Sequence, residues 1–226
     1  MNATLEIQAE QMTTDETAGT PHERHVYVID DELQVLVVIE MQLTAAGYSV
    51  KSFLRPKDFL DQVESLPDGV VISDQRMPEI EGLGVQKALK RWEHKFALIL
   101  LSGYPETRVT VEAMKQGAVT VLDKPYNKEQ LLASIEEAFV QLDRRVQDDN
   151  GLPPVLPDGE TYGSRLSSRE HQVIDLVYEG ETNKSIGIRL GISIKTVEKH
   201  RGKAMRKMEV SSLAELVRLI DREQRG

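Results

Sequence analysis

The first half of the chain alternates two hydrophobic rhythms. Short β-branched or solidly apolar runs at His25–Ile29, Tyr48–Phe53, Val70–Ser73, Phe96–Leu101 and Val119–Leu122 predict five strands. Longer stretches between and after them predict helices over Asp31–Ala46, Pro56–Ser65, Leu83–Trp92, Pro105–Gln116 and Lys128–Leu142. Gly47 and Gly117 follow two of these helices, where a glycine commonly closes the last turn. In the last helix Leu131, Ile135, Ala138 and Leu142 form one stripe. Strands alternating with helices call for a parallel sheet covered on both faces. The runs Val70–Ile72 and Phe96–Leu101, apolar at every position, fit burial between two helix layers. With right-handed connections, the expected fold is α/β, a doubly wound five-stranded parallel sheet of the flavodoxin-like kind.

The rhythm changes after residue 145. Residues 146–164 carry three prolines and three glycines without periodicity, which reads as a linker. Beyond it the pattern is helical throughout. Ser167 with Glu170 forms a capping box for a helix reaching Tyr178, with Val173, Ile174 and Val177 inward and Gly180 at its end. Asn183–Leu190 is a second, short helix, and Gly191 turns the chain. Ser193 caps a third that continues to Met208, with Val197, Ala204, Met205 and Met208 inward. Ser211 or Ser212 caps a fourth, striped by Leu213, Leu216, Val217 and Ile220. A short helix, a glycine turn and a longer basic helix make a helix-turn-helix. The expected division is a flexible polar tail over 1–23, a sheet domain over 24–145, a linker over 146–164 and a small all-α domain over 165–226.

Composition narrows the chemistry. The 226 residues contain no cysteine, which excludes disulfides, thiolate metal sites and cysteine nucleophiles. No apolar run is long enough to span a bilayer, and the N-terminus lacks the basic start and apolar stretch of a secretory signal. The expected compartment is the cytoplasm, with no membrane partner. The net charge of −9 is unevenly divided. Residues from Gly163 onward hold 13 basic and 9 acidic residues, a net of +4, and the remainder holds −13. An acidic front and a basic back point to different partners.

In doubly wound sheets ligands bind at the C-terminal ends of the strands. Strand 1 ends in Asp30 and Asp31, strand 3 in Asp74 and strand 4 in Ser102, and Lys124 follows strand 5. Adjacent carboxylates repel one another unless a cation lies between them. Mg²⁺, which binds through one or two carboxylates plus substrate phosphate, resolves that repulsion. A phosphoryl group arriving there needs positioning and charge neutralisation, which Mg²⁺, Lys124 and Ser102 can supply. Asp74 would be the nucleophile, forming an acyl phosphate.

This constellation resembles the receiver domain of two-component response regulators over roughly residues 24–145. The matching stretches are VIDDE (28–32), SDQRMP (73–78) with Gly82 after it, LLSGY (100–104) and GAVTVLDKPY (117–126). The resemblance implies that Asp74 accepts phosphate from a sensor histidine kinase. It implies Mg²⁺ held by Asp31, Asp74 and the backbone carbonyl of Arg76, with Asp30 acting through water. Lys124 would pair with the phosphoryl group, Ser102 would hydrogen-bond it, and the Lys124–Pro125 bond would be cis. The sequence departs from the family at Val121, where an aromatic three residues before the lysine is common. Valine lacks the inward swing of that ring, which directs the signal through helix 4, strand 5 and the neighbouring Tyr126 or Tyr104.

The C-terminal segment resembles the LuxR/FixJ-type helix-turn-helix through LSSRE (166–170), GETNKSI (180–186), LGIS (190–193), KTVEKHR (195–201) and the RKM that ends at 208. Together the two resemblances point to the FixJ/NarL class of transcriptional regulators, which are not enzymes. They imply double-stranded DNA as a partner, with Asn183, Lys184, Lys195, Thr196, Glu198, Lys199 and Lys203 as contact residues. They also imply a homodimer on activation, joined through the fourth helix. On sequence alone a phosphate sink or interaction module, using the helical domain only to dimerise, stays open. So does a phosphatase-like enzyme, although no segment is available for a substrate domain.

Overall fold

The computed structural model describes residues 23–103, 106–147 and 165–225. Nearly all of the expected tail and linker, together with Tyr104 and Pro105, lies outside the described residues. Five parallel strands, β1 (His25–Ile29), β2 (Ser49–Phe53), β3 (Gly69–Asp74), β4 (Phe96–Ser102) and β5 (Thr120–Asp123), form one sheet in the order β2-β1-β3-β4-β5. The order reverses between β1 and β3, the switch point where such sheets bind ligands.

Helices α1 (Leu33–Thr44) and α5 (Lys128–Gln147) cover one face; α2 (Pro56–Leu60), α3 (Gly82–Leu89) and α4 (Thr107–Lys115) cover the other. The period of two along each strand divides the core accordingly. Val26, Val28, Val70, Ile72, Ile99 and Leu101 pack with α1 and α5. Tyr27, Ile29, Val71, Leu98 and Leu100 pack with α2, α3 and α4 around Phe59, which stacks edge-on against Phe53 and Phe96.

Several boundaries differ from the periodicity. Helix α1 begins at Leu33 rather than Asp31, because the Asp30 carboxylate takes the Glu32 N–H (2.9 Å) and holds that turn out of helical register. Helix α2 stops at Leu60 instead of Ser65, and residues 61–66 continue as turns closed by Gln62 N–H to the Phe59 carbonyl (3.0 Å). The Leu83–Trp92 helix divides into α3 and a 3₁₀ turn, Lys90–Trp92. Helix α5 runs to Gln147, past Leu142 and two residues into the stretch read as linker.

The second unit is helical: α6 (Ser168–Tyr178), α7 (Asn183–Leu190), α8 (Ile194–Lys207) and α9 (Leu213–Arg225). The capping box at Ser167 and Glu170 forms as expected. Gly191 turns the chain with φ +65°, and Ser193 caps α8. Gly187 has a packing reason to lack a side chain: a Cβ there would lie 2.9 Å from the Ile192 carbonyl oxygen, in the turn between α7 and α8. Val173, Ile174, Val177, Ile186, Val197, Leu216 and Ile220 make this unit's core.

Candidate phospho-acceptor site

The strand ends converge because the hydrogen-bond ladder continues past them. Asp30 N–H donates to the Phe53 carbonyl (3.2 Å), Gln75 N–H to Leu101 (2.8 Å) and Lys124 N–H to Ser102 (2.7 Å). These bonds pin the residues just beyond β1, β3 and β5 at one edge. Asp30, Ser73, Asp74, Gln75 and Ser102 are buried polar residues clustered there, in a molecule whose other buried side chains are overwhelmingly apolar. Buried polar groups cost free energy unless paired, and the pairing is specific. Lys124 Nζ donates to Asp74 Oδ1 (2.6 Å) and to Asp30 Oδ2 (3.1 Å). The Arg76 N–H donates to Asp74 Oδ2 (2.6 Å), so both Asp74 oxygens are occupied.

The electrostatics follow from these contacts. Burial would lower the Lys124 ammonium, but the hydrogen bond to Asp74 and the charge of Asp30 outweigh it and raise it above its ordinary value. Burial raises the Asp30 carboxyl, and the Glu32 N–H and Lys124 offset that only in part. One ammonium thus serves two buried carboxylates, with Asp31 exposed beside them. Among the described residues no three acidic or imidazole side chains close on one point. The donor set is nevertheless all oxygen, with more negative charge than Lys124 neutralises, which fits a hard dication.

Local backbone supports the pocket. The Lys124–Pro125 bond is cis. Gly82 starts α3 against the end of β3: a Cβ there would stand 2.6 Å from the Asp74 carbonyl oxygen. Glu79, in the loop between β3 and α3, has φ +69°, a conformation rare for residues with a side chain, and the Ile80 N–H donates across it to the Pro78 carbonyl (2.8 Å). Val121 is buried among the residues of the α2–α3–α4 side, whereas Tyr126 packs on the α1–α5 side.

In the helical unit Lys195, Glu198, Lys199 and Lys203 are exposed on α8, three of them at intervals of four residues. Thr196 is half-buried, and its hydroxyl pairs with that of Ser193 (2.8 Å). Asn183 and Lys184 lie at the start of α7. They line a cavity of about 1120 Å³ that also touches Glu106, Arg108 and Asp123 of the sheet unit, and Asn183 accepts from Arg201 (3.3 Å).

Comparison with known proteins agrees with this architecture. The model of the response regulator receiver domain matches residues 26–136, and that of bacterial regulatory proteins of the luxR family matches 164–220. The chain is 36% identical to the transcriptional regulatory protein FixJ of Bradyrhizobium diazoefficiens over 86% of its length and 93% of that protein's. It is 39% identical to the response regulator TodT of Pseudomonas putida, over 87% and 85% respectively. The chain belongs to the response regulators with a LuxR-type DNA-binding domain. A crystal structure of full-length FixJ from B. japonicum superposes with a TM-score of 0.52 at 34% identity, covering 90% of this response regulator and 98% of that chain.

The two units of this response regulator touch through residues that no sequence motif marks. Ala214 and Val217 of α9 join the receiver core beside Val111 and Met114 of α4. Lys115 Nζ donates to the Tyr178 carbonyl (3.0 Å) and sits 3.6 Å from the centre of its ring. Arg218 donates to the Glu137 carboxylate and to the Val119 carbonyl. The sequence signal for this contact is the width of α9's apolar surface, since Ala214 and Val217 widen the stripe of Leu216 and Ile220 on one side and pack into the receiver core.

Proposed function

We propose that a sensor histidine kinase phosphorylates Asp74 and that this controls sequence-specific binding of double-stranded DNA by α8. The observation that carries the reading is the Asp74 carboxylate, buried at the switch point with Lys124 Nζ and the Arg76 N–H each 2.6 Å from one of its oxygens. An Asp74 oxygen attacks the phosphorus of a phosphohistidine; the P–N bond breaks and its electron pair stays with the imidazole. Lys124 holds the acceptor in place and then neutralises phosphoryl charge, and Ser102 offers its hydroxyl to a phosphoryl oxygen. Asp31, Asp74 and the Arg76 carbonyl would hold Mg²⁺, with Asp30 acting through water. When bound, that ion supplies charge neutralisation for the incoming phosphoryl group.

The output follows from the contact between the units. With α9 seated on α4, its apolar surface is not available to a second copy. The added phosphoryl charge biases the α4–β5–α5 face, which frees α9 to form a homodimer and Asn183 and Lys184 to join Lys195, Thr196, Glu198, Lys199 and Lys203 on DNA. Both the kinase relay and the DNA belong to the cytoplasm. A gel-shift against fragmented genomic DNA tests this reading. Phosphorylated protein should form a sequence-selective complex that weakens steeply with salt, whereas Asp74→Asn should not respond to phosphodonor. Lys124→Ala should accept phosphate without gaining affinity. Equal binding with and without phosphate on Asp74 would contradict the proposal.

A further inference from the structure

Where α4 meets the helical unit, the cavity of about 1120 Å³ is lined from both sides. The receiver contributes Arg108 on α4, and the helical unit contributes Lys184 on α7 and Arg201 on α8. Arg108 stands tight against the turn after α6: a Cβ on Gly180 would lie 3.4 Å from its Cα. The charges around the cavity do not balance. Of its three acidic residues, Glu106 is paired with Arg76, and Glu181 with Arg189 (3.6 Å) and the Ser185 hydroxyl. Among the described residues no carboxylate pairs with Arg108, Lys184 or Arg201, which leaves three cations against Asp123. Arg201 is the least hydrated of the three. Its guanidinium is half-buried, donates to the Asn183 side-chain oxygen (3.3 Å), and is pushed by burial below its ordinary value with no carboxylate to restore it. A cation withdrawn from water without an anion costs free energy, and an anion entering the cavity would recover that cost.

We propose that this cavity binds a small anion with two or more linked phosphate groups, held by Arg108 from the receiver and by Lys184 and Arg201 from the helical unit. The inference rests on the two units docking and on the helical unit's part in DNA binding. A guanidinium takes phosphate oxygens in bidentate geometry, and a lysine takes them as a point charge. Linked phosphates carry separate sets of acceptor oxygens, so one molecule can reach cations on both walls. Because the site is complete only while the units are docked, the anion stabilises that arrangement by mass action. It also occupies Lys184, a residue assigned to DNA in the open form. Such a ligand restrains the output without acting on Asp74: it deepens the docked state against which the phosphoryl signal works.

The test uses the full chain carrying Val217→Cys. That position is fully buried among receiver core residues and does not line the cavity, so a bound anion cannot shield the thiol directly. Maleimide labelling then follows separation of the units. Inorganic triphosphate is the probe, without Mg²⁺ and at fixed ionic strength. Labelling should slow saturably, by about tenfold at ten times the dissociation constant. Sulfate at the same ionic strength should leave the rate unchanged, and sheared genomic duplex should not slow it. Arg108→Gln should abolish the slowing, which an anion resting on the DNA-binding unit alone would not require. Arg201→Lys keeps the charge and should retain most of it. A triphosphate effect that survives Arg108→Gln, or that sulfate or duplex reproduces, would overturn the inference and leave docking intact. So would a slowly labelled parent that triphosphate does not slow further. A parent thiol that reacts as fast as a free one would overturn docking as well.

Discussion

Replacing Lys115 and Glu137 by alanine cuts two polar ties between the receiver and the helical unit, one to Tyr178 of α6 and one to Arg218 of α9, without touching the DNA-binding unit. The Glu137–Arg218 pair is 41% and 36% exposed, so solvent screening limits it to about 0.5–1 kcal/mol. Lys115 lies 3.6 Å from the centre of the Tyr178 ring, a contact of about 0.5–1 kcal/mol, and its bond to the Tyr178 carbonyl contributes about as much again. The apolar contact through Ala214 and Val217 remains. Losing about 2 kcal/mol raises the undocked population roughly 30-fold. The absence of native cysteine makes this measurable. A thiol introduced as Ala214→Cys, at a position 2% exposed under α4, reacts with a maleimide only when the units separate. Its labelling rate in unphosphorylated protein should rise by about that factor in the double-alanine background. An unchanged rate, or a rate already equal to that of a free thiol in the parent, would refute docking through these residues.

Two further predictions concern stability and the acceptor strand. Gly82→Ala forces a methyl to within 2.6 Å of the Asp74 carbonyl oxygen, and overpacking of this kind costs about 1–3 kcal/mol; it should lower the melting temperature and slow phosphorylation together, and normal values of both would show that the strand yields freely. Glu170 is held by Lys207 (2.6 Å) and the Ser167 N–H (2.8 Å), which push its carboxyl down to about 2. Because the folded value lies below the unfolded one, the stabilisation is complete above the ordinary carboxylate range and is lost as pH falls toward 2. With Lys207 partly exposed, that loss is about 2 kcal/mol; melting curves of parent and Glu170→Gln should converge on acidification, and parallel curves would contradict the assignment.

The strands were legible because each is apolar across its whole length or alternates cleanly, and the site residues because they follow strand ends directly. Asp30, Asp74, Ser102 and Lys124 meet where strand order alone puts them. Boundaries were less legible where local chemistry overrides periodicity, as at Asp30, whose carboxylate delays α1, and after Leu60, where the chain keeps an apolar rhythm but turns. Contacts between distant segments left no periodic trace. Arg76 was read for its carbonyl alone, and its guanidinium finds Glu106 thirty residues away. In α9 one stripe was read where the helix has a wider apolar surface, Leu216 and Ile220 toward its own unit and Ala214 and Val217 toward the receiver.

The central claim is that one aspartate carries the phosphoryl group, and the most direct measurement locates it. The chain is treated with acetyl phosphate and Mg²⁺, the acyl phosphate is trapped by borohydride reduction, and the modified peptide is identified by mass. The account predicts a single modified residue, Asp74, and none in Asp74→Asn. Modification at another carboxylate, or labelling that survives Asp74→Asn, would contradict it.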